Sequence, residues 1–179
     1  MLPLGTEAPD FELWDSVSNS IKRLNSLKGS QGTLILFICN HCPFVIHINE
    51  ALVSIANILL NKGIGVVAIS SNDVEKYPQD GPEQMHLHAK NTNYPFPYLY
   101  DETQSVAKAY DAACTPDFFL FDSSMKLVYR GQLDDSRPGN GLPVDGTDVL
   151  HAVQCMIENK VNTSPQKPSI GCNIKWKTS

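Results

Sequence analysis

The segment Thr33–Pro43, TLILFICNHCP, constrains this chain more than any other. Thr33 to Ile38 is an unbroken apolar run of strand formers, the pattern of a strand buried on both faces. A strand of that kind needs a sheet with a layer packed on each side. The adjoining residues supply one layer directly. Val45 to Leu60 repeats apolar residues at spacings of three and four (Ile48, Leu52, Ile55, Leu59) and predicts a helix. Pro43 suits its first position, where a missing N–H costs nothing, and Asn61-Lys62-Gly63 ends it, with Gly63 as a left-handed cap. Cys39 and Cys42 therefore sit in the junction between a buried strand and a helix.

The rest of the chain extends this unit. Pro9–Leu13 and Ile21–Leu24 flank turn residues and predict an N-terminal β-hairpin. Ile64–Ser70 and Phe118–Phe121 read as further buried strands, and Leu127–Arg130 as a strand returning through Asp122-Ser123-Ser124. Pro97–Tyr100 is a short extended segment. Helices are predicted over Pro82–Lys90, Thr103–Tyr110 and Gly146–Asn159, the last with Thr147 as N-cap. The order β-α-β-α-β-β-α predicts an α/β fold: a mixed central sheet, mostly parallel with an antiparallel edge, flanked by helices. Residues 1–160 form one domain and residues 161–179 a C-terminal extension. In that extension Ile170, Cys172, Ile174 and Trp176 alternate with polar residues and glycine, so it is expected to pack on the domain with Cys172 on the buried side.

Composition removes several functions. The net charge is −5 and there is no Lys/Arg cluster, which argues against nucleic acid. No run reaches the roughly 18 consecutive apolar residues of a membrane span, and Met1–Asp10 lacks the pattern of a signal peptide. The five cysteines, odd in number and scattered, do not form a disulfide scaffold. They fit a reducing compartment, and a cytoplasmic location is expected.

Chemistry concentrates at Cys42. A cysteine at a helix N-cap meets the positive end of the macrodipole and unpaired N–H groups, both of which favour thiolate, the nucleophile of disulfide exchange and peroxide reduction. Cys39 completes C-x-x-C. In one register Cys42 is the nucleophile. In the other, with the helix starting earlier, Cys39 attacks and Cys42 resolves. Thr115-Pro116 directly precedes a buried strand, where proline costs no ladder hydrogen bond.

Gly5–Leu13 (G-x-x-A-P-D-F-x-L), the TLILFI strand, Cys42-Pro43 and Thr115-Pro116-Asp117-Phe118-Phe119-Leu120-Phe121-Asp122 together resemble the AhpC/TSA redoxins, the peroxiredoxin-like branch of the thioredoxin superfamily. The likeness spans roughly residues 3–160 and implies a thioredoxin-like fold. It implies that Cys42 is the peroxidatic cysteine and that Thr115-Pro116 presents a substrate-docking edge, as the proline of thioredoxins does. The chain departs from the peroxiredoxin pattern P-x-x-x-T-x-x-C: Ile35 stands at the proline and Cys39 at the threonine. The usual arginine position holds Pro116, which leaves Arg130 as a substitute.

The expected function is thiol-based reduction of peroxides or disulfides by a thioredoxin-like protein or small thiol, with no cofactor or metal. The resemblance also allows a homodimer. Cys39 is the first candidate to resolve an oxidised Cys42, followed by Cys114 and Cys172. His41 is a candidate support for the thiolate. Cys155, His86 and His88 are expected to be structural or exposed. Two alternatives are a disulfide oxidoreductase without peroxidase activity, and a copper or zinc site drawn from Cys39, His41, Cys42 and His47.

Overall fold

The computed structural model describes residues 1–178. Strands β1 (Glu12–Asp15), β2 (Ser20–Arg23), β3 (Gly32–Phe37), β4 (Ile64–Ser70), β5 (Tyr98–Tyr100), β7 (Asp117–Asp122) and β8 (Leu127–Gly131) form one sheet in the order β2-β1-β5-β4-β3-β7-β8. Only the β3–β4 and β4–β5 pairings are parallel. The sheet is therefore mixed, with more antiparallel pairing than the sequence suggests. The reason is that β7 already runs against β3, before β8 turns back on it.

β3 shows why a continuous apolar run was required. Leu34, Leu36 and Ile38 enter one core, while Ile35 and Phe37 enter the other. The first core is covered by α2 (Pro43–Asn61), α3 (Pro82–Thr92) and α5 (Thr147–Ile157). The second is closed by α1 (Leu24–Leu27), α4 (Ser105–Ala109) and the N-terminal residues Ala8 and Phe11. By length and composition α2 could cross a membrane, although it contains no unbroken apolar run of that length. Its apolar stripe of Val45, Ile48, Leu52, Ile55 and Leu59 is instead buried in the domain. Leu52 is fully buried there, so truncating it to alanine would cost about 2–5 kcal/mol.

The first strand of the N-terminal hairpin lies slightly later than expected and the second one residue earlier, and the hairpin joins the sheet through Trp14 opposite Tyr100. Asp15 fixes that junction, accepting the N–H groups of Val17 and Tyr98, both at 3.0 Å. Helix α5 is capped by Gly146 at φ +68°, with Thr147 its first helical residue rather than its N-cap. Gly63 takes the left-handed conformation expected after α2.

The C-terminal extension runs along the domain and forms a second, two-stranded sheet. β9 (Cys172–Asn173) pairs antiparallel with β6 (Cys114–Thr115), placing Thr115 opposite Cys172. Lys175 fixes the strap further: its N–H donates to Asn72 Oδ1 (2.9 Å), and its carbonyl accepts from Asp73 N–H (2.8 Å) and Gln104 Nε2 (2.8 Å). The expected buried face is only partly realised. Ile174 is buried, Cys172 is half-buried, and Ile170 and Trp176 are exposed. A strand of two residues is too short to sustain a period-2 face.

Candidate active site

β3 ends against the start of α2, and the loop between them carries both cysteines. Cys42 is the N-cap of α2, with Pro43 as the first helical residue. This is the register in which Cys42, not Cys39, occupies the helix start. Its side chain makes no capping hydrogen bond to the helix. The thiol is buried against the Thr115-Pro116 segment and donates to the Thr115 carbonyl at 3.3 Å. The Thr115-Pro116 peptide bond is cis.

Three residues hold the Cys42 thiol well below its ordinary value. The largest influence is a hydrogen bond from the Cys39 thiol, followed by hydrogen bonds from the Cys172 thiol, the Thr115 hydroxyl and the Cys172 backbone N–H; burial opposes them. The thiolate is thus served by side chains and by the strap, in addition to its place at the helix start. Cys39 moves the opposite way, well above its ordinary value, because it donates a hydrogen bond to Cys42, is buried and faces the charge of Asp80. Cys172 is raised to about 11 by burial first and then by Cys42, with Lys175 pulling it back.

Thr115 lies at the centre of this group. Its carbonyl meets Cys42, its hydroxyl lies 3.6 Å from Cys39 Sγ, and its backbone pairs with Cys172. Cys39, Cys42, Thr115, Pro116 and Cys172 are therefore brought together. Cys114 is not. Adjacent residues of a strand face opposite ways, and its Sγ lies 3.7 Å from the Ser169 carbonyl and 3.8 Å from that of Pro116. Burial and the neighbouring Asp117 raise its thiol. Cys155 sits on α5, 3.6 Å from His151 Nε2.

The two support candidates are placed elsewhere. His41 Nδ1 lies 2.6 Å from the carboxylate of fully buried Asp80, and the ring stacks on Tyr77. It is not among the main influences that lower Cys42. Arg130 lies on the edge strand β8, paired with Phe119, with its Nε and Nη1 buried and unpartnered, and it is not among the main influences on Cys42. His86 and His88 are half-buried rather than exposed. His86 Nδ1 lies 2.7 Å from the Ser16 carbonyl, and His88 Nε2 lies 3.1 Å from the Tyr94 hydroxyl.

Sequence reasoning missed Asp80, which ends the 3-10 turn Pro78–Asp80 in a segment whose sequence has no distinguishing pattern. Asp80 accepts hydrogen bonds from Asn40 N–H (2.8 Å) and Asn72 Nδ2 (2.9 Å). With Cys39 and His41 it places a sulfur, a ring nitrogen and a carboxylate oxygen within 4.8 Å of one another. That is the set able to hold a metal among the described residues, and it differs from the one expected. His47 lies apart, beside Phe44 and Pro116.

The model of the AhpC/TSA family matches residues 4–130. The chain belongs to the AhpC/TSA family. This AhpC/TSA chain is 56% identical to an uncharacterized conserved protein from Geobacillus kaustophilus, covering 100% of this chain and 95% of that one at a TM-score of 0.97. It is 49% identical to a hypothetical protein from Sinorhizobium meliloti 1021, covering 100% and 97% at a TM-score of 0.95. Peroxidoxin BcpB from Mycobacterium tuberculosis matches at 17% identity, over 87% of this chain and 97% of that one, with a TM-score of 0.65. At that identity the likeness carries the fold alone, which is thioredoxin-like. No curated protein matches the sequence. The family is one of peroxiredoxin-like, thiol-dependent redox proteins on the thioredoxin fold.

Proposed function

We propose that the chain is a thiol peroxidase in which Cys42 is oxidised by a peroxide and resolved by Cys172. The observation that carries this reading is the β6–β9 pairing: the Thr115 edge, where a disulfide-exchanging protein would dock its substrate, already holds the chain's own Cys172 strand. A protein disulfide would have to displace the strap, whereas a peroxide need only reach one buried sulfur.

The chemistry balances within the site and one external dithiol. The Cys42 thiolate attacks the outer peroxide oxygen and the O–O bond breaks. The leaving oxygen takes a proton, and Cys42 becomes a sulfenic acid. Cys172 then loses its proton and attacks Cys42 Sγ; the S–O bond breaks and water leaves, giving a Cys42–Cys172 disulfide. Two thiols of a thioredoxin-like protein or small-molecule reductant return the electrons. Oxidation of Cys42 removes the negative charge that holds Cys172 up, so the second thiol becomes easier to ionise once the first has reacted. The test is peptide mass spectrometry after a brief, near-stoichiometric hydrogen peroxide pulse. A Cys42–Cys172 disulfide is expected. A reduced Cys42 that still exchanges with an oxidised dithiol partner would make the chain a disulfide oxidoreductase instead.

The Cys39–His41–Asp80 set favours a second reading, a zinc or copper site. It asks for a Cys39 thiolate, which burial and Asp80 oppose. Metal analysis of the purified protein separates the two: stoichiometric metal that is lost in Cys39→Ala supports the site, and its absence removes it.

A further inference from the structure

One buried carboxylate ties the cysteine loop to the C-terminal strap. Asp80 is completely buried and has no lysine or arginine partner among the described residues. A carboxylate so placed is costly unless its oxygens are hydrogen-bonded. The bonds it makes run in two directions. Oδ1 accepts the N–H of Asn40, the residue after Cys39 (2.8 Å). Oδ2 accepts Nδ2 of Asn72 (2.9 Å) and lies 2.6 Å from His41 Nδ1. Asn72 is itself buried, and the other end of its amide, Oδ1, accepts the N–H of Lys175 on the strap (2.9 Å). The loop end is held a second time, where Asn40 Nδ2 donates to the Gln79 carbonyl (2.9 Å) and Asn40 Oδ1 accepts from the Tyr98 hydroxyl (3.0 Å).

Donor and acceptor chemistry explains why an aspartate stands here. Two N–H donors reach it on different oxygens, and only a carboxylate offers an acceptor at both. An asparagine in its place would set its own NH2 against Asn72 Nδ2, donor to donor. Asn72 relieves that only by turning its amide over, which sets its NH2 against the Lys175 N–H. The chain from Asn40 through Asp80 and Asn72 to Lys175 therefore has one consistent polarity, and reversing any link breaks another.

We propose that Asp80 is a positioning residue, which through Asn72 holds the Cys172 strap in place against the loop that carries Cys42. Asp80 hydrogen-bonds to none of the three sulfurs and acts through the two backbones it joins. The role deepens the reaction proposed above and rests on Cys172 being the partner of Cys42.

The polarity supplies the test. Asp80→Asn alone sets donor against donor, and Asn72→Asp alone sets carboxylate against carboxylate. In the double variant the new amide donates to the new carboxylate, whose second oxygen accepts the Lys175 N–H. Hydrogen exchange at the Lys175 amide, followed by NMR on the reduced protein, should quicken about tenfold or more in either single variant and return to within about twofold of the native rate in the double. Asn72→Ala leaves Asp80 with Asn40 and His41, removes only the link to the strap, and should free the same amide even if Asp80→Asn fails to fold.

Equilibration with reduced and oxidised glutathione then reads the sulfurs. The Cys42 thiolate attacks glutathione disulfide and releases one glutathione thiolate. The Cys172 thiolate attacks Cys42 Sγ and releases the second, leaving the Cys42–Cys172 disulfide. Mass spectrometry of that disulfide gives the effective concentration of Cys172 at Cys42. It should fall about tenfold in Asn72→Ala and in each polarity variant, and recover in the double. Native Lys175 exchange in the single variants, no recovery in a folded double, an unchanged effective concentration, or a wild-type protein that forms no such disulfide would each overturn the role. None of these readouts uses a peroxide. A Cys42 that hydrogen peroxide leaves reduced would remove the peroxidase reading and leave the positioning result standing.

Discussion

Two thiols act on Cys42, and they differ in what else surrounds them. Cys39 lies just beyond the central strand β3, fully buried, with the charge of Asp80 beside it. Cys172 lies on a two-residue strand near the chain end, half-buried, with Lys175 nearby. In the reduced site both donate to the Cys42 sulfur. After oxidation that shared influence is gone. Cys39 still faces Asp80 and a rigid core, whereas Cys172 keeps only its burial and its lysine. In the proposed chemistry Cys39 therefore stabilises the nucleophile and Cys172 attacks it.

The largest expected effect establishes that there is a nucleophile to compare. Cys42→Ser should lower peroxide consumption by at least about three orders of magnitude, measured by stopped-flow kinetics. An unchanged rate would remove the proposed chemistry altogether.

The two neighbours should then fail differently. Cys172→Ser should form the sulfenic acid at the normal rate and accumulate it, with turnover down about a hundredfold or more, the advantage of an intramolecular thiol over one from bulk. A sulfenic-acid trap followed by mass spectrometry reads this directly. Cys39→Ala should slow the first step at neutral pH yet still form the Cys42–Cys172 disulfide. If the two variants exchange phenotypes, the roles are reversed.

The pH profile distinguishes the two thiols as well. Because hydrogen bonds hold the folded Cys42 below the ordinary thiol range, the first step should keep its rate as pH falls through that range, and lose it only once the depressed value is reached. Cys39→Ala removes the largest stabilising hydrogen bond, so its profile should shift to higher pH. A profile that stays in place would show that Cys39 does not support the thiolate.

The sequence revealed one side of this site more fully than the other. The buried strand, the helix and Pro43 are local patterns, and they were enough to put Cys42 at the N-cap. Thr115-Pro116 was legible from its place before the Phe118–Phe121 strand. The partners that tune the sulfur are contacts between residues far apart in the chain. Asp80 reaches Cys39 from a short 3-10 turn about forty positions away, and Cys172 returns to Thr115 from near the end of the described residues. The strap was half-legible. Alternation showed that it would pack on the domain, but its register on Thr115 depends on a backbone approach that no periodicity encodes.

That approach gives the smallest effect and the sharpest break between the two thiols. At Gly171 an added Cβ would lie 2.0 Å from the Thr115 carbonyl oxygen and 2.7 Å from its carbon, both backbone atoms that cannot give way. Gly171→Ala should therefore lift β9 from β6. Global stability should fall only slightly, by about 1–2 kcal/mol for the few backbone hydrogen bonds of so short a pairing, measured by urea denaturation. The site should change more than the stability does. Cys42 should become open to iodoacetamide and its thiol should rise, because both donors from Cys172 move away with the strand. Disulfide formation to Cys172 should slow, while the hydrogen bond from Cys39 survives, since β3 is unaffected. A variant that resolves at the native rate would mean that the pairing does not position Cys172. Cys39, the thiol on the rigid side, would then be the one to examine as the resolver.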